Sequence, residues 1–259
     1  MNDGGLAGCG VLITRPEHQS QDLVSEIEAA GGKVFRFPTI DIVGRNIDEI
    51  GMDFAELVRP DIVVFVSGNA VAYGLAAVKR KQQKIAAIGP ATRAAIEAVG
   101  VNVDIFPEDG FDSEHLLQHD ALQSVDGKSI VIVRGQSGRE LLAETLRERG
   151  AQVDYLYVYD RIQHEPTLAD LENLETALSE DRIGLVTAMS VETLEHLVQI
   201  LPPRFLRLLR KSTLVAPSAR VIQTASELIP GIATVLAPGP QAPAMVSTLI
   251  KATKTGQIL

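Results

Sequence analysis

Four hydroxyl side chains, Ser67, Thr92, Ser190 and Ser218, each stand where an apolar run gives way to a helical pattern. A hydroxyl at such a junction can cap the helix by accepting a backbone N–H. It can equally hold a ligand beside the free N–H groups of the first turn, which favour a carboxylate by roughly 0.3–1 kcal/mol each. Both readings stay open for Ser67, Asn69 and Ser190, and Thr92 in Gly89-Pro90-Ala91-Thr92 also suits a turn. Arg15 and Arg134 close two further apolar runs, where a guanidinium can meet a ligand carboxylate or a neighbouring acidic side chain. Together these residues describe anion binding by neutral donors and a few cations.

Other chemical motifs are weaker. His115 and His119 are four apart, a spacing that can hold a metal on a helix, but the acidic polar stretch around them reads as a solvated face. No glycine-lysine phosphate loop occurs, and Gly8-Cys9-Gly10 precedes its apolar run where a dinucleotide fingerprint must follow one. His18, His164 and His196 have no recognisable partner, and Cys9, the single cysteine, reads as a small hydrophobe at a strand edge.

The elements that must position these residues are legible as alternation. Val11–Ile13, Ile62–Val66, Ile85–Ile88, Ile130–Val133, Ile183–Val186 and Leu214–Ala216 are short apolar runs, each followed by an amphipathic stretch. Those stretches are Ser25–Ala30, Val71–Val78, Thr92–Val99, Leu141–Arg149, Val191–Ile200 and Val221–Leu228, and Gly31, Gly100 and Gly150 fit left-handed helix ends. The pattern predicts an α/β fold with buried parallel strands and covering helices. In such sheets ligands bind at the carboxyl ends of the strands, where the hydroxyls above lie.

The chain also repeats itself. A shift of 119 residues carries Arg15 onto Arg134, Leu23 onto Leu142, Ile27 onto Leu146, Gly31 onto Gly150 and Val34 onto Val153. Ser67 then matches Ser190 at 123, and Gly89-Pro90-Ala91-Thr92 matches Pro217-Ser218-Ala219-Arg220 at 128. Two copies of one domain are expected, the second lacking the glycine and threonine of that turn, so that Ser218 or Arg220 takes over its contacts. No Pro/Gly/Ser-rich linker separates the copies. The extended segments Phe35–Asp41 and Asp154–Asp160 occupy equivalent places, and a swapped arrangement with these two running side by side as a bridge fits the pattern.

Composition narrows the partners. With 259 residues, 46% hydrophobic, the chain can fill two cores, and a net charge of -9 speaks against nucleic acid. No apolar run is long enough to span a bilayer, and the first residues lack a basic signal region, so a cytoplasmic protein away from membranes is expected. Residues 101–126 carry Asp104, Glu108, Asp109, Asp112, Glu114, Asp120 and Asp126 without one Lys or Arg, and this stretch is expected to face away from the ligand.

Taken in order, Val11-Leu12-Ile13-Thr14-Arg15-Pro16, Val64–Val71, Ala87–Thr92, Val133-Arg134-Gly135, Gly138–Leu142 and Val158-Tyr159-Asp160-Arg161 resemble the uroporphyrinogen-III synthase family over nearly the whole chain. The resemblance implies two flavodoxin-like domains joined by a two-stranded β bridge, the first discontinuous (1–38 with 162–259) and the second spanning 39–161. It implies a monomeric lyase, without metal or organic cofactor, that closes hydroxymethylbilane into uroporphyrinogen III with loss of water and inversion of ring D, the substrate lying between the domains. It assigns the substrate's carboxylates to Arg15, Ser67, Asn69, Thr92, Arg134, Ser190, Ser218 and Arg220, with Arg139 a weaker candidate. Tyr159 aligns with a ligand-facing tyrosine whose phenol can assist departure of the terminal hydroxyl, while Tyr155 and Tyr157 read as packing residues of the bridge. A non-catalytic two-lobed binder of a small ligand and a nucleotide-using enzyme at the same strand edge are the rival readings.

Overall fold

The computed structural model describes residues 5–78, 82–136 and 138–254. The chain runs through β1 (Gly10–Ile13), α1 (Gln21–Ala29), β2 (Lys33–Arg36), β3 (Ile40–Gly44), α2 (Ile47–Glu56), β4 (Ile62–Phe65), α3 (Gly68–Gly74), β5 (Lys84–Ala87) and α4 (Pro90–Glu97). Two single-turn helices, α5 (Ser113–Leu116) and α6 (Asp120–Gln123), precede β6 (Ser129–Gly135), α7 (Leu141–Glu148) and the long β7 (Gln152–Gln163). Then follow α8 (Leu168–Ser179), β8 (Leu185–Thr187), α9 (Val191–Ile200), α10 (Pro203–Leu209), β9 (Thr213–Ala216), α11 (Ala219–Leu228), β10 (Ala233–Leu236) and α12 (Ala242–Lys254).

Two compact units result, one from Met1–Asp41 with Ile162–Leu259 and one from Ile42–Arg161. The first unit's sheet has the order β2-β1-β8-β9-β10 with every pair parallel, which is the doubly wound flavodoxin order. Successive residues bury into opposite layers. Val11, Ile13, Leu185 and Val215 pack with α1 and α12, while Leu12, Val186 and Leu214 pack with α8, α9 and α10.

The second unit's sheet has the order β3-β7-β6-β4-β5. Val63, Phe65, Val131 and Val133 face one layer with Val71 of α3 and Ile96 of α4, and Val64, Ile130 and Ile132 face the other with Leu142 and Leu146 of α7. Ile105 adds a parallel bridge to Ala86 beyond β5, in the place that β10 takes in the first unit. The repeat is therefore exchanged: the first copy gives β1–β2 to one unit and β4–β5 to the other, and the second copy gives β6–β7 and β8–β10 in the reverse sense.

The β3 and β7 strands carry the chain across the unit boundary, and they differ from the expected bridge. Phe35–Asp41 is not one extended segment, because Phe35 and Arg36 belong to β2 and Pro38, with no N–H to donate, stands in the break before β3. Asp154–Leu156 is likewise spent in the parallel pairing with β6. Between the two strands the Arg45 N–H donates to the Val158 carbonyl at 3.0 Å within the second unit, and the His164 N–H donates to the Thr39 carbonyl at 3.1 Å within the first. Six residues forward on β3 correspond to six backward on β7, so the two strands run antiparallel.

Candidate functional site

In a doubly wound sheet the crevice for a ligand opens where strand order reverses, outside the carboxyl ends of the two strands flanking that point. In the second unit these strands are β4 and β6; Ser67 stands two residues after the end of β4, and Arg134-Gly135 close β6. In the first they are β1 and β8, with Arg15 two residues after the end of β1 and Ser190 three after the end of β8. Each unit thus sets an arginine from one sequence copy beside a serine from the other.

Ser67 is the N-cap of α3, its Oγ accepting the Ala70 N–H at 3.1 Å, and it also lies 3.4 Å from the Tyr159 hydroxyl. Tyr159 is buried at 7% exposure, with its ring 6.1 Å from that of Tyr73. Gly135 permits this placement: a Cβ there would lie 2.7 Å from Tyr159 Cε2. Tyr159 and Arg134 line one hollow of about 220 Å³ with Val66, Ile88, Gly138 and Tyr155. That volume suits one carboxyalkyl side chain, far less than a tetrapyrrole.

Arg134 is buried at 5% side-chain exposure and pairs with Glu140 at 2.9 Å, and its guanidinium lies 4.8 Å from the Tyr155 ring centre. Glu140 and Tyr155 were missed by motif reasoning. Tyr155 is not simply a packing residue, since its hydroxyl donates to the other Glu140 oxygen. That hydrogen bond and then Arg134 hold the Glu140 carboxyl below its ordinary pKa, while burial first and Glu140 second raise that of Tyr155. An ion-pair partner for Arg134 is visible in the sequence only as a glutamate six residues on.

Asn69 is the second residue of α3 and half-buried. Thr92 is not a cap: Gly89 caps α4 through its extended backbone, and Thr92 follows as the third helical residue, buried at 4% exposure. Its hydroxyl makes no hydrogen bond among the described residues. Ser218, by contrast, caps α11 with its side chain on the Val221 N–H at 3.4 Å. Matching the strands and caps moves the expected register from 128 to 129, so that Gly89 corresponds to Ser218 and Thr92 to Val221, not to Arg220. Arg220 is an exposed second-position residue of α11.

In the first unit Ser190 caps α9 on the Thr193 N–H at 3.1 Å and meets the Thr193 hydroxyl at 2.8 Å. Arg15 is half-buried, and burial draws its guanidinium below the ordinary arginine pKa against the attraction of Asp22. Among the described residues it has no hydrogen-bonded acid, which leaves a partly desolvated cation open to a ligand anion.

The histidine expectation is corrected by the helix bounds. His115 and His119 do not share a helix: His115 belongs to α5 and pairs with Asp112 at 2.5 Å, whereas His119 caps α6 by accepting the Ala121 N–H. The described residues contain no cluster of three or more His, Cys, Asp or Glu able to hold a metal. Within the acidic stretch, Ser113 lines the hollow and Glu114 pairs with Arg139 at 3.6 Å. No helix among the described residues is long and apolar enough to cross a membrane.

The family model for uroporphyrinogen-III synthase HemD matches residues 21–247. The uroporphyrinogen-III synthase of Salmonella typhimurium is 35% identical over 84% of this chain and 91% of its own, and that of Escherichia coli is 30% identical over 74% and 80%. The fold is shared with the uroporphyrinogen-III synthetase of Helicobacter pylori, at a TM-score of 0.64 and 14% identity, covering 94% of this chain and 99% of that one. A mutant uroporphyrinogen III synthase of Thermus thermophilus gives 0.58 and 17%, covering 96% and 100%. With a family match over most of its length and two relatives at or above 30% identity, the chain belongs to the uroporphyrinogen-III synthase family.

Proposed function

We propose that this hydro-lyase carries out its reaction at the carboxyl edge of the second unit's sheet, with Tyr159 assisting water loss and Arg134, Ser67, Asn69 and Thr92 holding substrate carboxylates. Arg15, Ser190, Ser218 and Arg220 are assigned the same carboxylate-binding role on the first unit. The observation that carries the reading is the position of Tyr159: a buried phenol 3.4 Å from Ser67 Oγ, lining the same hollow as a buried arginine at the strand-order reversal. Because Ser67 Oγ already accepts from Ala70, its own O–H is free to donate to the phenol oxygen. The Tyr159 O–H is then available to the leaving hydroxyl.

Hydroxymethylbilane is suited to such a modest acid. The terminal pyrrole nitrogen pushes electrons toward the hydroxymethyl carbon, hydroxide leaves as water with the phenol's proton, and an electrophilic azafulvenium cation remains beside the phenolate. That carbon attacks the substituted position of ring D to give a spiro centre, which breaks on its other side and recloses with the ring inverted. The proton released on closure restores the phenol. Spontaneous closure occurs at the unsubstituted position instead, so the protein's contribution is chiefly to hold one approach and exclude the other.

A single cysteine, Cys9, supports a reducing, cytoplasmic setting and the net charge of -9 speaks against nucleic acid as partner; the same reading takes the enzyme as a monomer acting on a small molecule away from membranes. The site assignment is tested by the isomer formed from hydroxymethylbilane by a variant carrying both Tyr159→Phe and Arg134→Gln. Decline of the inverted isomer toward the spontaneous mixture is the expected result. Wild-type output from that variant places the chemistry elsewhere.

A further inference from the structure

Two arginines line the hollow, and they differ in kind: Arg139 is 75% exposed, whereas Arg134 is 5% exposed. The donors of Arg134 are unequally used. Nε donates to the Gly135 carbonyl at 3.2 Å, and Nη1 donates to Glu140 Oε1 at 2.9 Å and to the Arg139 carbonyl at 3.5 Å. Nη2 donates to no acceptor among the described residues. A Cβ on Gly138 would lie 2.5 Å from that nitrogen, so the glycine keeps this side of the guanidinium clear of a side chain.

Glu140 is differently placed. It is 50% exposed, it reaches Arg134 through one oxygen and one N–H, and its second oxygen is held by the Tyr155 hydroxyl. A buried guanidinium without a counter-charge is costly, whereas a half-exposed carboxylate returns to water cheaply. An incoming carboxylate can engage Nη1 and Nη2 together, a two-point contact stronger than the single one that Glu140 makes.

We propose that Glu140 is a resident stand-in for a substrate carboxylate, neutralising Arg134 while the hollow is empty and yielding it when a carboxyalkyl side chain of the tetrapyrrole enters. This rests on the reading of Arg134 as a carboxylate anchor. Tyr155 is the holder that keeps the displaced Glu140 within reach, so the ion pair re-forms when product leaves. The exchange also selects: a pyrrole bearing a neutral side chain offers nothing to replace Glu140, and the guanidinium stays closed to it. Glu140 is a positioning and specificity residue that acts through Arg134.

The experiment is steady-state kinetics with hydroxymethylbilane on Glu140→Gln, which removes the charge and keeps an oxygen for Tyr155. KM falls roughly two- to fivefold, the scale of a half-exposed ion pair, with kcat changing less than KM. Arg134→Gln raises KM, and adding Glu140→Gln to it produces no further change. Glu140→Ala moves KM in the same direction as Glu140→Gln and covers the case in which one variant fails to fold. A KM that rises or stays level in folded Glu140→Gln overturns the proposal, since the carboxylate then props the guanidinium or does nothing. An unaltered KM in Arg134→Gln overturns the anchor reading itself, and is distinguishable because the wild type still forms the inverted isomer.

Discussion

Thr92 and Val221 occupy the same position, the third residue of α4 in one unit and of α11 in the other, and both are buried, at 4% and 2% exposure. One copy of the repeat fills this position with a methyl group and the other with a hydroxyl that makes no hydrogen bond among the described residues. A valine is therefore compatible with the helix and its packing. Thr92→Val is expected to leave the thermal midpoint within a few degrees of wild type, because the equivalent buried position already holds a valine, while weakening substrate binding by roughly three- to thirtyfold through loss of the hydroxyl's contact with a carboxylate. Ser218→Ala, at an exposed cap on the turn that lacks the first copy's glycine and threonine, should affect KM less. The reverse ranking in the two KM values sinks the assignment of Thr92 to the site.

For Tyr159→Phe the fold should be unaffected, because the ring still fills the space against Tyr73 and Gly135 and only a weak 3.4 Å contact with Ser67 is lost. Turnover is expected to fall by roughly tenfold, below the 100-fold or more typical of essential acid catalysis, since the pyrrole supplies most of the push. Comparison of kcat with the urea midpoint separates the two quantities. A wild-type kcat removes the phenol from the mechanism.

How much of this was legible beforehand follows from what each residue depends on. The parallel strands were readable because burial on both faces leaves continuous apolar runs, and the exchanged repeat because Arg15/Arg134 and Ser67/Ser190 keep their offsets. The bridge was misplaced because residues rich in β-branched and aromatic side chains look alike in β2, in β3 and in the part of β7 that pairs with β6. The turn register was off by one because Pro217-Ser218 resembles Gly89-Pro90, while the true match is between a backbone cap and a side-chain cap. Glu140 was invisible because its role depends on a guanidinium folded back over Tyr155, a contact that no local spacing encodes.

Gly135→Ala provides a contrast to Tyr159→Phe. The new Cβ would stand 2.7 Å from Cε2 and 2.9 Å from Cζ of Tyr159, so the ring or the end of β6 must shift. Overpacking of this kind costs about 1–3 kcal/mol, and the displaced phenol should lose its contact with Ser67 as well. Both the urea midpoint and kcat are expected to drop. Loss of stability with unchanged turnover would show that the position of the phenol is immaterial to the reaction.

Treatment with a chelator, followed by removal of nucleotides and other small molecules, is expected to leave both the rate of ring closure and the proportion of inverted isomer unchanged. The reason lies in the substrate: departure of the hydroxyl is driven by its own pyrrole nitrogen, and closure joins two ends of one molecule, so no external electrophile or electron carrier is called for. What the protein must supply is orientation and partial charge at fixed points, a role the proposed site gives to the Tyr159–Ser67 pair, the Arg134 guanidinium and Arg15. The measurement is the isomer composition and initial rate before and after treatment, with spontaneous closure as the reference. Activity that disappears on chelation and returns with a divalent cation would mean that a metal performs the work assigned to these side chains.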